Sequence, residues 1–102
     1  MALTEAEKEQ LLLMIKADLA RRRLKRGVKL NVEECVALIT SEIKDGAFVG
    51  KTVSELVEMG GKLLRKEQVM SGIAESLLEV KVEAAFPDGK RLVTVPYPIM
   101  FG

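Results

Sequence analysis

The first quarter of the chain places apolar residues at helical spacing between two clear boundaries. Thr4 followed by Glu7 is a capping box, in which each side chain accepts a hydrogen bond from the other residue's backbone N–H. Gly27 can adopt the left-handed conformation that often follows the last turn of a helix. The pattern predicts a first helix over residues 5–26, about 33 Å long at about 1.5 Å per residue.

Two further capping pairs divide the middle of the chain. They are Asn31 with Glu34, and Thr52 with Glu55. The first pair opens an amphipathic helix that Asp45 and Gly46 weaken near its end, and its apolar stripe consists of Val32, Cys35, Val36, Ile39 and Ile43. The second pair opens a short helix that ends at the glycine pair 60–61. A further helical stretch is expected over residues 62–76, with Gly72 as a weak point.

After Leu78 the apolar period changes to every second residue. The alternating apolar residues are Val80, Val82, Ala84 and Phe86, a pattern that predicts a half-buried strand. The sequence "PDG" at 87–89 predicts a tight turn, because Asp-Gly tolerates the positive φ values of two-residue hairpin loops. A return strand over residues 90–95 would pair Val93 with Ala84 and Val95 with Val82.

Length and composition agree with this order of elements. The chain has 102 residues, 48% of them hydrophobic and 30% charged, which is the composition of an ordinary folded protein of one domain. We therefore predict a single domain over residues 1–102 with an α+β fold. Three or four helices form a helical bundle, and a C-terminal antiparallel β-hairpin follows them.

The central part of the first helix is apolar almost all the way round. On a helical projection, one side of Leu12 carries Leu11, Ile15 and Leu19, the other carries Leu13, Ala17, Ala20 and Leu24, and Met14 lies nearly opposite. A surface helix of a lone domain normally has a polar outer face. We therefore expect another protein to cover part of this helix, with the candidate interface residues Leu11, Leu12, Met14, Ile15 and Leu19.

The C-terminal segment "PYPIMFG" is also rich in apolar side chains. It can either fold back on the chain's own core or dock on another chain, since an unsupported terminus would fray. Because the first helix already requires a partner, we favour docking. The candidate interface therefore also includes Tyr97, Ile99, Met100 and Phe101.

A basic segment raises the possibility of nucleic-acid binding. Its cations are Arg21, Arg22, Arg23, Lys25, Arg26 and Lys29. On a helix they encircle the axis, whereas a phosphate-binding surface has its charges on one face. The chain as a whole has 16 Lys and Arg against 15 Asp and Glu, a net charge of +1 that lacks the basic excess of a nucleic-acid binder. We favour protein contact, with Arg21, Arg22 and Arg23 in the interface, and the alternative is a small nucleic-acid-binding module that uses residues 21–29.

The sequence contains no histidine, which limits the chemistry of this chain. Without imidazole it has no Ser–His or Cys–His pair and no histidine ligand for zinc or nickel. The single cysteine, Cys35, lies on the apolar stripe of the second helix and is expected to be a small buried hydrophobe. We predict no catalytic, cofactor-binding or metal-ligating residue here. An acidic start and the lack of a long apolar segment indicate a cytoplasmic protein.

Several segments distributed along the chain carry a family resemblance. They are "RRRLKRGVKLN" with "ALIT" after it, "GKTVSEL", "QVMSGIAE", and "VKVEAAFPDGKRLVTV" followed by "PI". They occur in this order over nearly the whole chain, and the last is the most specific. Together they are similar to the γ subunit of bacterial urease, the nickel enzyme that hydrolyses urea.

The resemblance implies a role that depends on partners. Members of this family have three or four helices and a hairpin, and they help to assemble the larger α and β subunits into a trimer of αβγ units. The implied reaction is cytoplasmic hydrolysis of urea to ammonia and carbamate. The two nickel ions, the carbamylated lysine that bridges them and the catalytic histidine are all expected on the α subunit. The expected partners are therefore the urease α and β subunits, with neither nucleic acid nor membrane.

Overall fold

The computed structural model describes residues 2–100 and contains four α-helices followed by a two-stranded antiparallel sheet within that range. The elements are α1 (Glu5–Lys25), α2 (Val32–Phe48), α3 (Val53–Gly60), a 3₁₀ turn (Lys66–Gln68), α4 (Ile73–Ser76), β1 (Glu79–Phe86) and β2 (Gly89–Pro96). This order confirms the predicted α+β fold.

Helices α1, α2 and α3 each begin at the capping box that the sequence predicts. In α1 the backbone N–H of Glu7 donates to Thr4 Oγ1 at 3.1 Å, and the Thr4 N–H donates to Glu7 Oε1 at 2.9 Å. The same reciprocal pairs open α2 and α3. Helix α1 ends at Lys25, one residue before the predicted end, and Gly27 follows with a φ of +72°.

Helix α2 lies at the centre of the fold, where it contacts α1, α3 and β1. Its inward residues Cys35, Ile39 and Ile43 are completely buried, as the apolar stripe predicts. The other two stripe residues are less buried, since Val32 is 43% exposed in the first turn of α2 and Val36 is partly buried.

The C-terminal end of α2 is more regular than the sequence suggests. The expected weakening at Asp45 and Gly46 is wrong, because α2 continues to Phe48. Gly46 instead has a packing role. A Cβ atom at this position would lie 2.4 Å from Leu56 Cδ2, so the missing side chain allows α3 to approach α2 closely.

The continuous helical stretch predicted over residues 62–76 is wrong. This part of the chain forms two single turns with an extended segment between them. The extended segment pairs with Leu30 in a parallel bridge at Val69. The Leu30 N–H donates to Gln68 O at 3.0 Å, and the Met70 N–H donates to Leu30 O at 2.9 Å.

The spacing of buried residues explains this departure from helix. Leu64 and Val69 are each 2% exposed and stand five positions apart, whereas residues on one helix face are three or four apart. Gly72 has a φ of +88°, which lies outside the helical region. Leu30 is itself completely buried, so its backbone groups need hydrogen-bond partners that a helix over 62–76 would not supply.

The hairpin forms as predicted, but its register differs by two residues. Val82 pairs with Val93 and Val80 pairs with Val95, in place of the predicted Ala84–Val93 and Val82–Val95 pairs. A shift of two residues keeps the same side chains on the same face. The inward face therefore remains the predicted one and consists of Val80, Val82, Ala84, Val93 and Val95.

The proline in the turn accounts for the register. Phe86 pairs with Gly89, so the two loop residues are Pro87 and Asp88 rather than Asp88 and Gly89. In the predicted register Pro87 would have been paired with Lys90, although proline has no N–H to donate to the ladder. In the observed register Pro87 takes the first loop position, which its fixed φ suits.

We predict that Gly60→Ala destabilises the fold and that its neighbour Gly61→Ala does not. A Cβ at position 60 would lie 2.7 Å from Cγ2 of the fully buried Val95, whereas at position 61 the nearest atom is Val57 O at 3.6 Å. The free energy of unfolding should fall by about 1–3 kcal/mol for Gly60→Ala and change by less than about 0.5 kcal/mol for Gly61→Ala. Urea denaturation followed by circular dichroism measures both, and equal effects would contradict the packing argument.

Candidate interaction surface

Helix α1 packs against α2 through its small residues. Ala17 and Ala20 are completely buried, and Leu13 and Leu24 beside them are half-buried. The spacing of four, three and four positions places these residues along one helix face. Because alanines occupy the centre of the contact, the other sides of α1 carry Leu11, Leu12, Met14, Ile15 and Leu19.

Those large side chains are exposed to solvent. The exposed fractions are 44% for Leu11, 58% for Leu12, 51% for Met14, 64% for Ile15 and 38% for Leu19. Leu11, Leu12, Ile15 and Leu19 share the side of α1 opposite the alanines, and we call these four residues the outer row. Met14 lies apart from them, in a groove against α2 beside Asp18 and Arg21.

A second groove between α1 and α2 extends the outer row. Its volume is about 500 Å³, and it is lined by Glu9, Leu12, Leu13, Lys16, Val32, Glu33, Val36 and Ala37. Leu12 belongs to both the outer row and the groove. The sequence reasoning assigned Val32 and Val36 to a buried stripe and so missed this surface. The signal that could have found it is the position of Val32 as the first residue of α2, where no preceding helical turn covers it.

A further apolar site at the end of α2 was also missed. Phe48 is 86% exposed and Val49 is 73% exposed, in the connection that leads to α3. Two adjacent apolar residues directly before Gly50, between two helices, are the sequence signal that could have indicated it.

Arg21 of helix α1 forms hydrogen bonds to side chains of helix α2. Its Nη1 donates to Asp18 Oδ1 at 2.8 Å, and its Nη2 donates to Glu42 Oε1 at 3.0 Å and to Ser41 Oγ at 3.3 Å. Burial alone would lower the pKa of Arg21, but the hydrogen bonds and charges of Glu42 and Asp18 outweigh it and raise that pKa. Arg21, placed in the candidate interface by sequence, thus has partners within its own chain.

Glu34 makes a second connection between the two helices. Its side chain is 5% exposed, its Oε1 accepts the Asn31 N–H at 2.9 Å, and its Oε2 accepts from Arg23 Nη1. One carboxylate therefore completes the capping box of α2 and pairs with a cation near the end of α1. Sequence reasoning found the capping box but not the ion pair, because Arg23 is distant in the chain.

Other cations near the end of α1 have no such partner. Arg22, Lys25 and Arg26 are exposed, and none of them forms an ion pair with a carboxylate in the part of the chain that the structure describes. The basic segment is therefore divided between internal ion pairs and exposed charges. It does not form one continuous face for phosphates, so the nucleic-acid alternative gains no support.

The C-terminal segment both folds back and remains exposed. Ile99 is 1% exposed and belongs to the chain's own core, whereas Tyr97 is 55% and Met100 is 59% exposed. Tyr97 has a φ of +44°, an uncommon conformation for a bulky residue, and its N–H donates to Leu78 O at 2.7 Å. Phe101 lies outside the described residues.

The thiol of Cys35 is completely buried, as the sequence predicts. Burial raises its pKa to about 11, and the charge of Glu34 contributes to the shift. Residues 2–100 contain no group of three or more His, Cys, Asp or Glu side chains arranged to hold a metal ion. Over the same residues, none of the helices has the length and apolar character needed to cross a membrane.

The fold and its surface define a small α+β protein that presents an apolar helix face to solvent, as subunits of larger complexes do. A family model described as "Urease, gamma subunit" matches residues 1–99 of the chain. The chain therefore belongs to the urease gamma subunit family, which confirms the resemblance of its sequence motifs. Membership implies a subunit of a urease, a hydrolase that assembles from several kinds of subunit.

We predict that Glu34→Ala is far more destabilising than Glu33→Ala. Glu34→Ala removes a capping acceptor and the partner of Arg23, and the free energy of unfolding should fall by about 2–3 kcal/mol. The neighbouring Glu33 is the matched control. Its side chain is 74% exposed, and its Oε2 lies 3.6 Å from Lys16 Nζ. Glu33→Ala should lower the free energy of unfolding by less than about 0.5 kcal/mol. Thermal and urea unfolding test this difference, and similar values for the two variants would refute the role of Glu34.

The raised pKa of Cys35 predicts a specific alkaline instability. The unfolded chain releases the thiol proton near its ordinary pKa of 9.0, and the folded chain releases it at about 11. The protonated thiol of Cys35 therefore contributes fully to the free energy of unfolding below pH 9, and this contribution is lost as the pH rises to 11. Over this range the free energy of unfolding of the natural chain should fall by about 2–3 kcal/mol more than that of Cys35→Ala. Parallel slopes for both proteins would contradict a buried, protonated thiol.

Proposed function

We propose that this chain is the non-catalytic γ subunit of a urease, which assembles with α and β subunits into the complex that hydrolyses urea to ammonia and carbamate. The observation that carries the proposal is the arrangement of α1, in which Ala17 and Ala20 face the core and the outer row faces solvent. Burying the exposed part of each of these aliphatic side chains would gain roughly 0.5–2 kcal/mol. A partner that covers the outer row thus stabilises the complex.

In this proposal the chemistry belongs to the α subunit, which would hold the two nickel ions. The residues of this chain do not fit a nickel centre, since the sequence has no histidine and its one cysteine is buried at position 35. The chain's own contribution is to stabilise the complex that keeps the catalytic site in shape, because a partner that binds the folded state raises its stability. A trimer of αβγ units in the cytoplasm is the proposed form of the assembly.

Co-expression with the α and β subunits from the same source tests the proposed function. We expect an affinity-tagged form of this chain to co-purify with both subunits, and we expect omission of the chain to lower both the yield of the large complex and its urease activity. The isolated chain, supplied with nickel, should not hydrolyse urea. Urea hydrolysis by the isolated chain, or complete absence of the α and β subunits from the purified sample, would refute the proposal.

A further inference from the structure

The outer row is one part of a longer line of residues on α1. Leu12, Ile15 and Leu19 are separated by three and four positions, and the same spacing continues to Arg22 and Arg26. Residues at this spacing lie along one side of a helix. The exposed side of α1 therefore has an apolar centre followed by a cationic end, and the side chains at both parts are exposed.

The two ends of this line differ in whether their cations are paired with a carboxylate. Toward the start of α1, Lys8 Nζ lies 3.3 Å from Glu5 Oε1, so a carboxylate of the same helix already pairs with it. Toward the end, Arg22 and Arg26 have no carboxylate partner among residues 2–100. The helix dipole stabilises each of these two arginines by only about 0.3–1 kcal/mol, which is not a substitute for a carboxylate partner. The unpaired positive charge is thus concentrated at one end of the apolar line.

We infer that the outer row with Arg22 and Arg26 binds an apolar segment of a larger urease subunit, and that this segment carries carboxylates at the end that faces the two arginines. This inference rests on the proposed function, because it names the surface and the chemistry through which assembly occurs. Guanidinium groups pair with carboxylates through two parallel hydrogen bonds, which would fix the direction of the partner segment along α1. The apolar contacts supply affinity, and the ion pairs supply orientation.

A second copy of this chain is a poor occupant for the same surface. Two α1 helices packed in parallel would bring Arg22 against Arg22 and Arg26 against Arg26. Packed antiparallel, they would bring Arg26 toward Lys8 and Glu5, which already pair with each other. Like charges meet in the parallel arrangement, and the antiparallel arrangement offers the arginines only a carboxylate that already has a cationic partner. Charge complementarity therefore favours an acidic partner over self-association.

Four variants in the full chain, each co-expressed with the urease α and β subunits, test the inference. Ile15→Asp interrupts the apolar centre, and its control Leu92→Asp makes the same change at a residue that is 57% exposed on the hairpin. The double variant Arg22→Glu with Arg26→Glu reverses the cationic end, and its control is Lys62→Glu with Lys90→Glu. The amounts of α and β subunit recovered with the tagged chain are measured after washes at low and at high salt.

We expect Ile15→Asp to lower recovery at least about 30-fold at either salt concentration, as loss of a central interface residue does. The arginine reversal should lower recovery about tenfold or more at low salt and lose most of that effect at high salt, because salt screens exposed charges. Both controls should match the natural chain. Ile15→Ala is a fifth and milder variant, which should lower recovery less than Ile15→Asp, and thermal unfolding of every variant verifies folding.

The outcomes separate this inference from the proposed function. Failure of the natural chain to recover α and β would overturn the proposed function. Normal recovery by the natural chain and also by Ile15→Asp would overturn the inference alone.

Loss of binding in Ile15→Asp without any effect of the arginine reversal would overturn the proposal of an acidic partner. An equal loss of binding in Leu92→Asp would overturn the assignment of the surface to α1. A dimer of the isolated chain that Ile15→Asp dissociates, or binding to anionic vesicles, would identify a different occupant and overturn it as well.

Discussion

The contact between α1 and α2 through two buried alanines determines most of what this molecule presents to its surroundings. Ala17 and Ala20 give α1 a small inner face, which fits closely on a central helix whose own inward residues are large. The four residues of the outer row are left on the outside. A surface helix ordinarily has the opposite arrangement, with apolar residues inward and polar residues outward. The chain thus retains apolar surface whose burial by another protein would be favourable.

The charges near the end of α1 follow from the same geometry. Successive helix residues point about 100° apart, so neighbouring arginines face different surroundings. Arg21 and Arg23 reach carboxylates of α2 and fix the relative position of the two helices. Arg22 lies on the exposed side between them. One short basic segment therefore serves both the internal packing and the outer surface.

Local rules were sufficient where a feature depends on neighbouring residues. Capping boxes, the helix end at Gly27 and the alternation of β1 were all predicted because each involves residues a few positions apart. The exposed apolar character of α1 was predictable for the same reason, since it is a property of one helix. The large α1 residues chosen for the outward side are exposed in the structure. The close fit of Ala17 and Ala20 against α2 was not predicted, because it depends on residues that are distant in the chain.

The failures concern features that distant residues decide. The extended pairing of Val69 with Leu30 replaced a predicted helix, and the ion pair of Glu34 with Arg23 could not be read from local spacing. The hairpin register was wrong by two residues because Pro87 was given a place in the ladder that it cannot fill. The family resemblance, which rests on whole segments rather than on local rules, was confirmed along residues 1–99.

Site-specific photo-crosslinking tests the central claim most directly. A photoreactive amino acid replaces Ile15 in the full chain during co-expression with the urease α and β subunits, and Leu92 is replaced in a parallel sample. The account predicts that position 15 forms a covalent adduct with a larger urease subunit under illumination and that position 92 does so much less. An absence of adducts at position 15, in a sample where the complex has assembled, would contradict it.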